Sequence, residues 1–317
     1  MAFHPDDLPD LGGKVFIVTG GNSGLGYYTV AHLAGHGAHV YMGVRSPAKG
    51  AAAISQMRAA NPSANVSILE MDLMDLASVA AAATRFLALE KALHGLVNNA
   101  GIMATPFEKS KDGYEAQWQT NYLAHWLLTE RLLPLMLQTA STLPPGSVRI
   151  VNLTSSGHLA APKDGIHFQD TSLQDSGPWE RYGQSKLANI LHTATLHKTH
   201  GPGSLGARDG KGEIWVSAVH PGLVDTNLAT SVGKLWLMSF SALRMLGLMW
   251  PADKGSWTSL FCVAGPTMKA EQSGTYMEIF RRFGEPRCLS DAATNEELAE
   301  RLEKWTREEM SRGGWLV

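Results

Sequence analysis

Two cysteines, Cys262 and Cys288, are all that this chain carries. They make neither a disulfide framework nor the clustered spacing of a metal site, and such sparing use of thiols fits a reducing compartment, so the expected location is the cytoplasm and the expected metal is none. Charge of one sign is also missing: the formal net charge is -2. Nothing in that balance suggests a nucleic-acid partner or an anionic membrane surface. Long apolar runs are absent too. The longest, Leu235 to Trp250, spans 16 residues and is interrupted by Arg244, so no membrane span is expected. Met1 to Gly13 has no apolar run and carries Asp6, Asp7 and Asp10, which reads as neither a secretory signal nor an Arg-rich transit peptide. No repeat or low-complexity tract stands out, and the glycine-rich stretch from Gly201 to Gly212 reads as a loop inside a domain. What is present is 317 residues, 44% hydrophobic and 18% charged, a length that allows one large domain or two small ones and enough apolar material for a sizeable core.

The organising stretch is Val15-Phe16-Ile17-Val18-Thr19-Gly20-Gly21-Asn22-Ser23-Gly24-Leu25-Gly26. Four apolar residues read as a buried strand. Glycines at 20, 24 and 26 follow, and then a helical segment with Val30, Ala31, Leu33 and Ala34. Strand, glycine turn and helix in that order form a phosphate cradle: glycines let the backbone approach an anion, and the free N–H groups and dipole of the helix favour it. The spacing is G-x-x-x-G-x-G rather than G-x-G-x-x-G.

Ala38 to Val44 reads as a second strand with Arg45 and Ser46 at its end, about 20 residues past the glycines, where dinucleotide folds read the adenosine ribose. No acid lies between Gly26 and Asn65, and an Arg there favours a 2′-phosphate, hence NADP(H). Pro47 to Ala60 is a helix and Asn65 to Met71 a third strand. It ends at Asp72, whose carboxylate either accepts from an adenine amino group or shares with Asp75 the capping of the helix near Leu76. Strand four, Leu93 to Val97, runs into Asn98-Asn99-Ala100-Gly101, small enough to let a ligand lie on the backbone. A long helix from near Tyr114 contains Asn121, expected to be partly buried and hydrogen-bonded among Tyr122, Leu123 and Trp126. Strand five, Ser147 to Leu153, ends in Thr154-Ser155-Ser156, hydroxyls aimed at the crevice of an open sheet or capping the next element. Tyr182 and Lys186 stand four apart on one face at the start of a helix running to about His200, so the ammonium is expected to favour the ionised phenol and pull its pKa of about 10 toward neutrality. Strand six, Glu213 to Val219, is followed by His220, read as structural, and by Pro221, Gly222 and Thr226. Asn227 to Trp250 is core, lid or membrane-touching; a lid at about 225–255 over an apolar substrate is the favoured reading. A last strand at Gly274 to Ile279 and a C-terminal helix at Asn295 to Met310 complete the chain.

Read together, these pieces resemble the short-chain dehydrogenase/reductase family over roughly residues 12 to 280. Thr19 to Gly26 matches its T-G-x-x-x-G-x-G loop, Asn98 to Gly101 its N-N-A-G stretch, Tyr182 and Lys186 its Y-x-x-x-K pair, and Pro221-Gly222 with Thr226 its nicotinamide-side motif. Gly43 to Ser46, Asn121 to Trp126, Arg149 to Asn152 and Ser185 to Asn189 are similar to retinol-dehydrogenase-like and WW-domain-oxidoreductase-like members and to fungal reductases of secondary metabolism. With no WW domain and no N-terminal anchor read in this chain, retinoid work at a membrane is not expected.

The resemblance implies a single doubly wound α/β domain with a mostly parallel sheet in the order 3-2-1-4-5-6-7. It implies an NADP(H)-dependent oxidoreductase interconverting a carbonyl and an alcohol on a small, apolar, aromatic or polyketide-like substrate. The implied catalytic residues are Asn121, Ser155, Tyr182 and Lys186, with Ser156 the fallback if the register shifts. Asn121 is expected to hold a water that relays protons past Lys186. The implied cofactor contacts are Gly20, Asn22, Ser23, Gly24, Leu25, Gly26, Arg45, Asp72, Leu73, Asn99, Ala100, Gly101, Pro221, Gly222, Val224 and Thr226, with Tyr182 and Lys186. The insertion Ala160 to Trp179 is expected to line or cover the site. A homodimer through helices near Tyr114 and Tyr182 is the candidate assembly, unless the insertion blocks it. Two other readings stay open: dehydratase, isomerase or cyclase chemistry on the same fold, and a catalytically silent NADP(H)-sensing protein.

Overall fold

The computed structural model describes residues 3–225, 249–278 and 289–316. Thr226, Cys288 and most of the segment expected to form a lid lie outside the described residues.

Seven strands, β1 (Val15–Thr19), β2 (His39–Val44), β3 (Val66–Glu70), β4 (Gly95–Asn98), β5 (Arg149–Leu153), β6 (Trp215–His220) and β7 (Tyr276–Glu278), form one sheet in the expected order, β3-β2-β1-β4-β5-β6-β7. Every pairing is parallel. β1, β5 and β6 are buried at every position. Helices cover both faces of such a sheet, which is why these segments read in the sequence as unbroken apolar runs.

The helices are α1 (Gly24–Gly35), α2 (Pro47–Ala60), α3 (Leu76–Leu89), a short α4 (Ala116–Trp118), α5 (Ala124–Ser141), α6 (Pro178–His200), a short α7 (Leu205–Arg208), α8 (Ala252–Ala264) and α9 (Glu296–Arg312). Neighbouring β1 residues point to opposite faces. Phe16 and Val18 join Val30, Leu33, Met57 and Leu260 on one side, while Ile17 joins Phe86, Leu96, Leu127 and Leu187 on the other. Among the described residues no helix is long and apolar enough to cross a membrane, and no group of three or more His, Cys, Asp or Glu is placed to hold a metal.

Two helices differ from the sequence expectation. The one expected to begin at Tyr182 begins at Pro178, with Gly177 as its N-cap. Proline at the first helical position gives up no hydrogen bond and pre-sets φ, so the start moves back one turn. The long helix from near Tyr114 is not continuous: Gln119–Leu123 is a π-helical turn between α4 and α5. Such turns disturb the regular ladder and often mark functional sites. Here the turn carries Asn121.

Helix α9, capped by the Asn295 carboxamide on Leu298 N–H at 2.9 Å, packs on α5 and α6. Tyr122 hydroxyl meets Thr306 at 2.7 Å, Trp126 Nε1 donates to Glu303 at 2.9 Å, and Arg307 pairs with Glu130 at 3.0 Å. Deeper, a buried ion pair between Glu115 and Arg181, 3.4 Å apart, fastens the start of α4 to the first turn of α6.

Candidate active site

The carboxyl ends of the parallel strands meet at the reversal between β1 and β4, where open α/β sheets form their binding crevice. β1 stops at Gly20, whose φ of +66° suits glycine. A side chain on Gly26 would run into the Gly20 carbonyl, so α1 starts directly beneath the turn. Ser23, its N-cap, makes no side-chain bond to the helix, which leaves the first-turn N–H groups for an incoming anion.

A hollow of about 590 Å³ opens beside this turn, lined by Gly20, Asn22, Arg45, Asp72, Leu73, Ala100 and Gly101 among others. Arg45 is exposed at its edge. Of the two acids at the end of β3, Asp75 caps α3 through Ser78 N–H at 3.2 Å. Asp72 accepts instead from Met74 N–H at 3.0 Å and lines the hollow. The glycine turn, the Arg45 guanidinium and the Asp72 carboxylate thus all stand around one hollow. Ser23, Gly24 and Gly26 shape the turn from below rather than line the hollow.

A second cavity, about 450 Å³, adjoins it and shares Gly101 and Ile102. Ser155, Tyr182 and Lys186 converge there. Tyr182 is buried, and burial pushes its phenol up to about 12, while a hydrogen bond with the Ser155 hydroxyl pulls the other way. Ser155 is thus the serine brought to Tyr182; Ser156 is exposed. Ser155 Oγ also accepts from Gly157 N–H at 3.0 Å. Lys186 Nζ lies 5.7 Å from the Tyr182 ring centre and donates to Leu153 carbonyl at 3.0 Å. Burial pushes its ammonium down to about 7. The expectation that Lys186 draws the phenol toward neutrality therefore does not describe this structure, in which desolvation dominates both groups.

Asn121 is fully buried. Its Oδ1 accepts from Ile102 N–H at 2.9 Å, and Nδ2 donates to Ile102 carbonyl at 3.0 Å and to Ser185 Oγ at 2.9 Å. Both amide hydrogens are thus committed to protein, and any water held by this side chain is held by its oxygen alone. On the far wall stand Pro221, Gly222 and Val224, with Leu25 beside them against Gly255 of α8.

Ile102, Met103 and Gly157 escaped the sequence reading, whereas Trp179 lies in the insertion expected to line or cover the site. Met103 and Ile102 follow the N-N-A-G stretch without any marker of their own. Trp179 is the last residue of the insertion expected to cover the site, and its indole stands edge-on to Tyr182 at 6.0 Å. His220, read as structural, lines the cavity and stacks on Tyr276 at 6.3 Å. Gly157 is needed for space: a Cβ there would sit 2.7 Å from Tyr182 Cε1. Gly157→Ala is accordingly expected to displace the phenol and lower kcat about tenfold, the effect of a misplaced catalytic group, with far-UV circular dichroism unchanged. Steady-state kinetics decide it, and full activity would show that the ring does not need this position.

Such a sheet and glycine turn define a dinucleotide-type α/β fold, with Ser155, Tyr182 and Lys186 gathered in one cavity. Comparison with known proteins narrows the class. The short chain dehydrogenase profile matches residues 14–167. The chain is 51% identical over 308 residues to the short-chain dehydrogenase/reductase drtF of Aspergillus calidoustus, covering 96% of each. It is 36% identical over 292 residues to mouse retinol dehydrogenase 12, covering 92% of this chain and 84% of that one. The crystal structure of an uncharacterized protein from Mycobacterium paratuberculosis superposes with a TM-score of 0.73 at 30% identity, covering 97% of each chain. The chain belongs to the short-chain dehydrogenase/reductase family, and it is an oxidoreductase of that family.

Proposed function

We propose that this protein is an NADP(H)-dependent reductase of a neutral, apolar ketone or aldehyde. The observation that carries the reading is the convergence of Ser155, Tyr182 and Lys186 in an apolar cavity that opens into the hollow edged by Arg45. When bound, a nicotinamide dinucleotide supplies the hydride. Ser155 Oγ hydrogen-bonds the substrate oxygen. Tyr182, protonated throughout the physiological range because burial raises it, donates the proton to the forming alkoxide. Lys186 holds its ammonium or amine beside the ring and braces the strand end through Leu153. Asn121 fixes Ile102 and so the wall between the two cavities. A phenol that stays protonated favours carbonyl reduction over alcohol oxidation.

The substrate class follows from the walls. Ile102, Met103, Trp179, Leu223, Val224 and Met249 are apolar, and Lys186 is the one charged residue lining the cavity among the described residues. Among the described residues no guanidinium lines the cavity to meet a carboxylate or phosphate on the substrate. Leu223 and Asp225 meet Trp250 beside the cavity, with Asp225 N–H on the Trp250 carbonyl at 2.9 Å and Trp250 N–H on the Leu223 carbonyl at 2.8 Å. A homodimer built on α5 and α6 would have to accommodate α9, which lies across them.

Calorimetric titration with NADPH and NADH tests the reading. NADPH is expected to bind more tightly. Arg45→Ala is expected to weaken NADPH by ~10–100-fold, the loss of one charge-assisted hydrogen bond, and to leave NADH nearly unchanged. Equal affinities in the wild type would make Arg45 a solvated strand end. Stoichiometric NADPH consumption with carbonyl loss separates reduction from dehydration or isomerisation.

A further inference from the structure

A chain of buried hydrogen bonds runs from the glycine turn to the helix that carries Tyr182, and His125 is its central link. Thr19 Oγ1, at the end of β1, accepts from Asn99 N–H at 2.9 Å and from Ala100 N–H at 3.0 Å. His125 Nε2 lies 2.9 Å from the same oxygen, and His125 Nδ1 lies 3.2 Å from the Asn121 carbonyl. Asn121 Nδ2 donates to Ser185 Oγ at 2.9 Å, and Ser185 Oγ donates to the Tyr182 carbonyl at 2.8 Å.

The direction of each bond is forced. The Asn121 carbonyl only accepts, so Nδ1 carries the imidazole proton. Thr19 Oγ1 has given both lone pairs to backbone N–H groups, so its own proton points outward. That proton reaches the Val97 carbonyl at 3.4 Å and, more closely, His125 Nε2 at 2.9 Å. The donors therefore run one way, from Asn99 and Ala100 through Thr19, His125, Asn121 and Ser185 to Tyr182. An imidazolium would turn an N–H against an oxygen with no lone pair to offer. Burial disfavours that charge, and so does Lys186, while the Asn121 carbonyl favours it; the net effect holds His125 at about 4. The titratable groups that reach it are Lys186 and His192, both on α6.

We propose that His125 is a positioning residue, held as the neutral Nδ1–H tautomer, that locks the segment Asn99–Ile102 between the glycine turn and the helix of Tyr182. That segment lines both cavities, and a Cβ on Gly101 would lie 3.0 Å from Asn121 Oδ1 and 3.4 Å from Lys186 Nζ. Loosening the lock displaces the wall between dinucleotide and substrate. The functional half of the inference rests on the proposed dinucleotide reading, whereas the tautomer stands without it.

Two measurements test it separately. In the cofactor-free protein labelled with ¹⁵N-histidine, the His125 ring, assigned by its shift in Thr19→Val, is expected to show a protonated Nδ1 and a bare Nε2, unchanged from about pH 5.5 to 8. A protonated Nε2, or a titration inside that window, overturns the assignment whether or not the protein binds a dinucleotide. In His125→Phe, which fills the ring volume without nitrogens, NADPH is expected to bind about tenfold more weakly and kcat to fall about tenfold, one buried hydrogen bond on each side. The substrate KM stays within about twofold, because no substrate contact is lost. His125→Asn, which keeps a donor near the Nδ1 position, is expected to recover kcat but not NADPH affinity. A lower melting temperature with unchanged NADPH affinity and kcat would reduce His125 to a packing residue and overturn the proposal.

Discussion

Tyr182→Phe is expected to fold, to bind NADPH within about threefold of the wild type, and to lose about 10³ of kcat, inside the range general acid–base catalysis supplies. The substitution is conservative where it should be. The Phe ring keeps the edge-on contact with Trp179 at 6.0 Å and the space made by Gly157. It removes one atom, the oxygen that meets Ser155. Since burial raises the phenol to about 12, the wild type holds its proton from about pH 6 to 9, and kcat/KM for reduction shows no loss from this group there. Alcohol oxidation needs the ionised phenol, so its kcat/KM rises by up to about tenfold per pH unit over the same range. Undiminished turnover in the variant would remove Tyr182 from the proton transfer. Lost NADPH affinity would make it a binding residue instead.

The sheet was legible because its strands are buried on both faces and therefore carry contiguous Val, Ile and Leu, and because Gly20, Gly24 and Gly26 punctuate the first turn. The strand order follows from the family resemblance those motifs carry. Helix starts were less legible: Tyr182 and Lys186 gave the helix away, but Pro178 set where it begins. The π-helical turn at Gln119–Leu123 had no signal at all, since the bonds its Asn121 makes to Ile102 and Ser185 are tertiary and local propensity does not show them. The same holds for His125 and Gly157, and for the hydrogen-bond partners of Thr19, a residue the glycine-loop motif did mark. Each acts through a partner far away in sequence, and a residue type whose role is set by a distant hydrogen bond looks ordinary in one dimension. The relation between Tyr182 and Lys186 was misread for a related reason. Spacing on a helix gives proximity, but the depth of burial that overrides the mutual charge effect belongs to the tertiary structure.

Lys186→Met is expected to abolish most turnover, with kcat down by at least ~10² as for loss of a group assisting proton transfer, and at the same time to raise the melting temperature at about pH 6. The ammonium is buried, its one hydrogen-bond acceptor among the described residues is the Leu153 carbonyl at 3.0 Å, and desolvation pushes it down to about 7. A buried cation with so little compensation destabilises the native state, and a thioether of similar length fills the space without charge. The pH dependence has a definite sign. Between the native value of about 7 and an unfolded value of about 10.4, the unfolded chain binds the proton that the native protein has released, so wild-type stability rises with pH, by at most ~1.4 kcal/mol per unit. Below that window both states are protonated and the full cost of burial is present. The stability advantage of Lys186→Met is therefore largest at acid to neutral pH and shrinks as pH climbs toward 10. Paired melting curves at about pH 6 and 9 measure this directly. A variant less stable than the wild type at both pH values would mean that the bond to Leu153 outweighs the cost of burying the charge, and that the site holds its lysine for structure as well as for chemistry. The expected outcome is the opposite trade, stability given up at Lys186 to keep a titratable nitrogen beside the phenol.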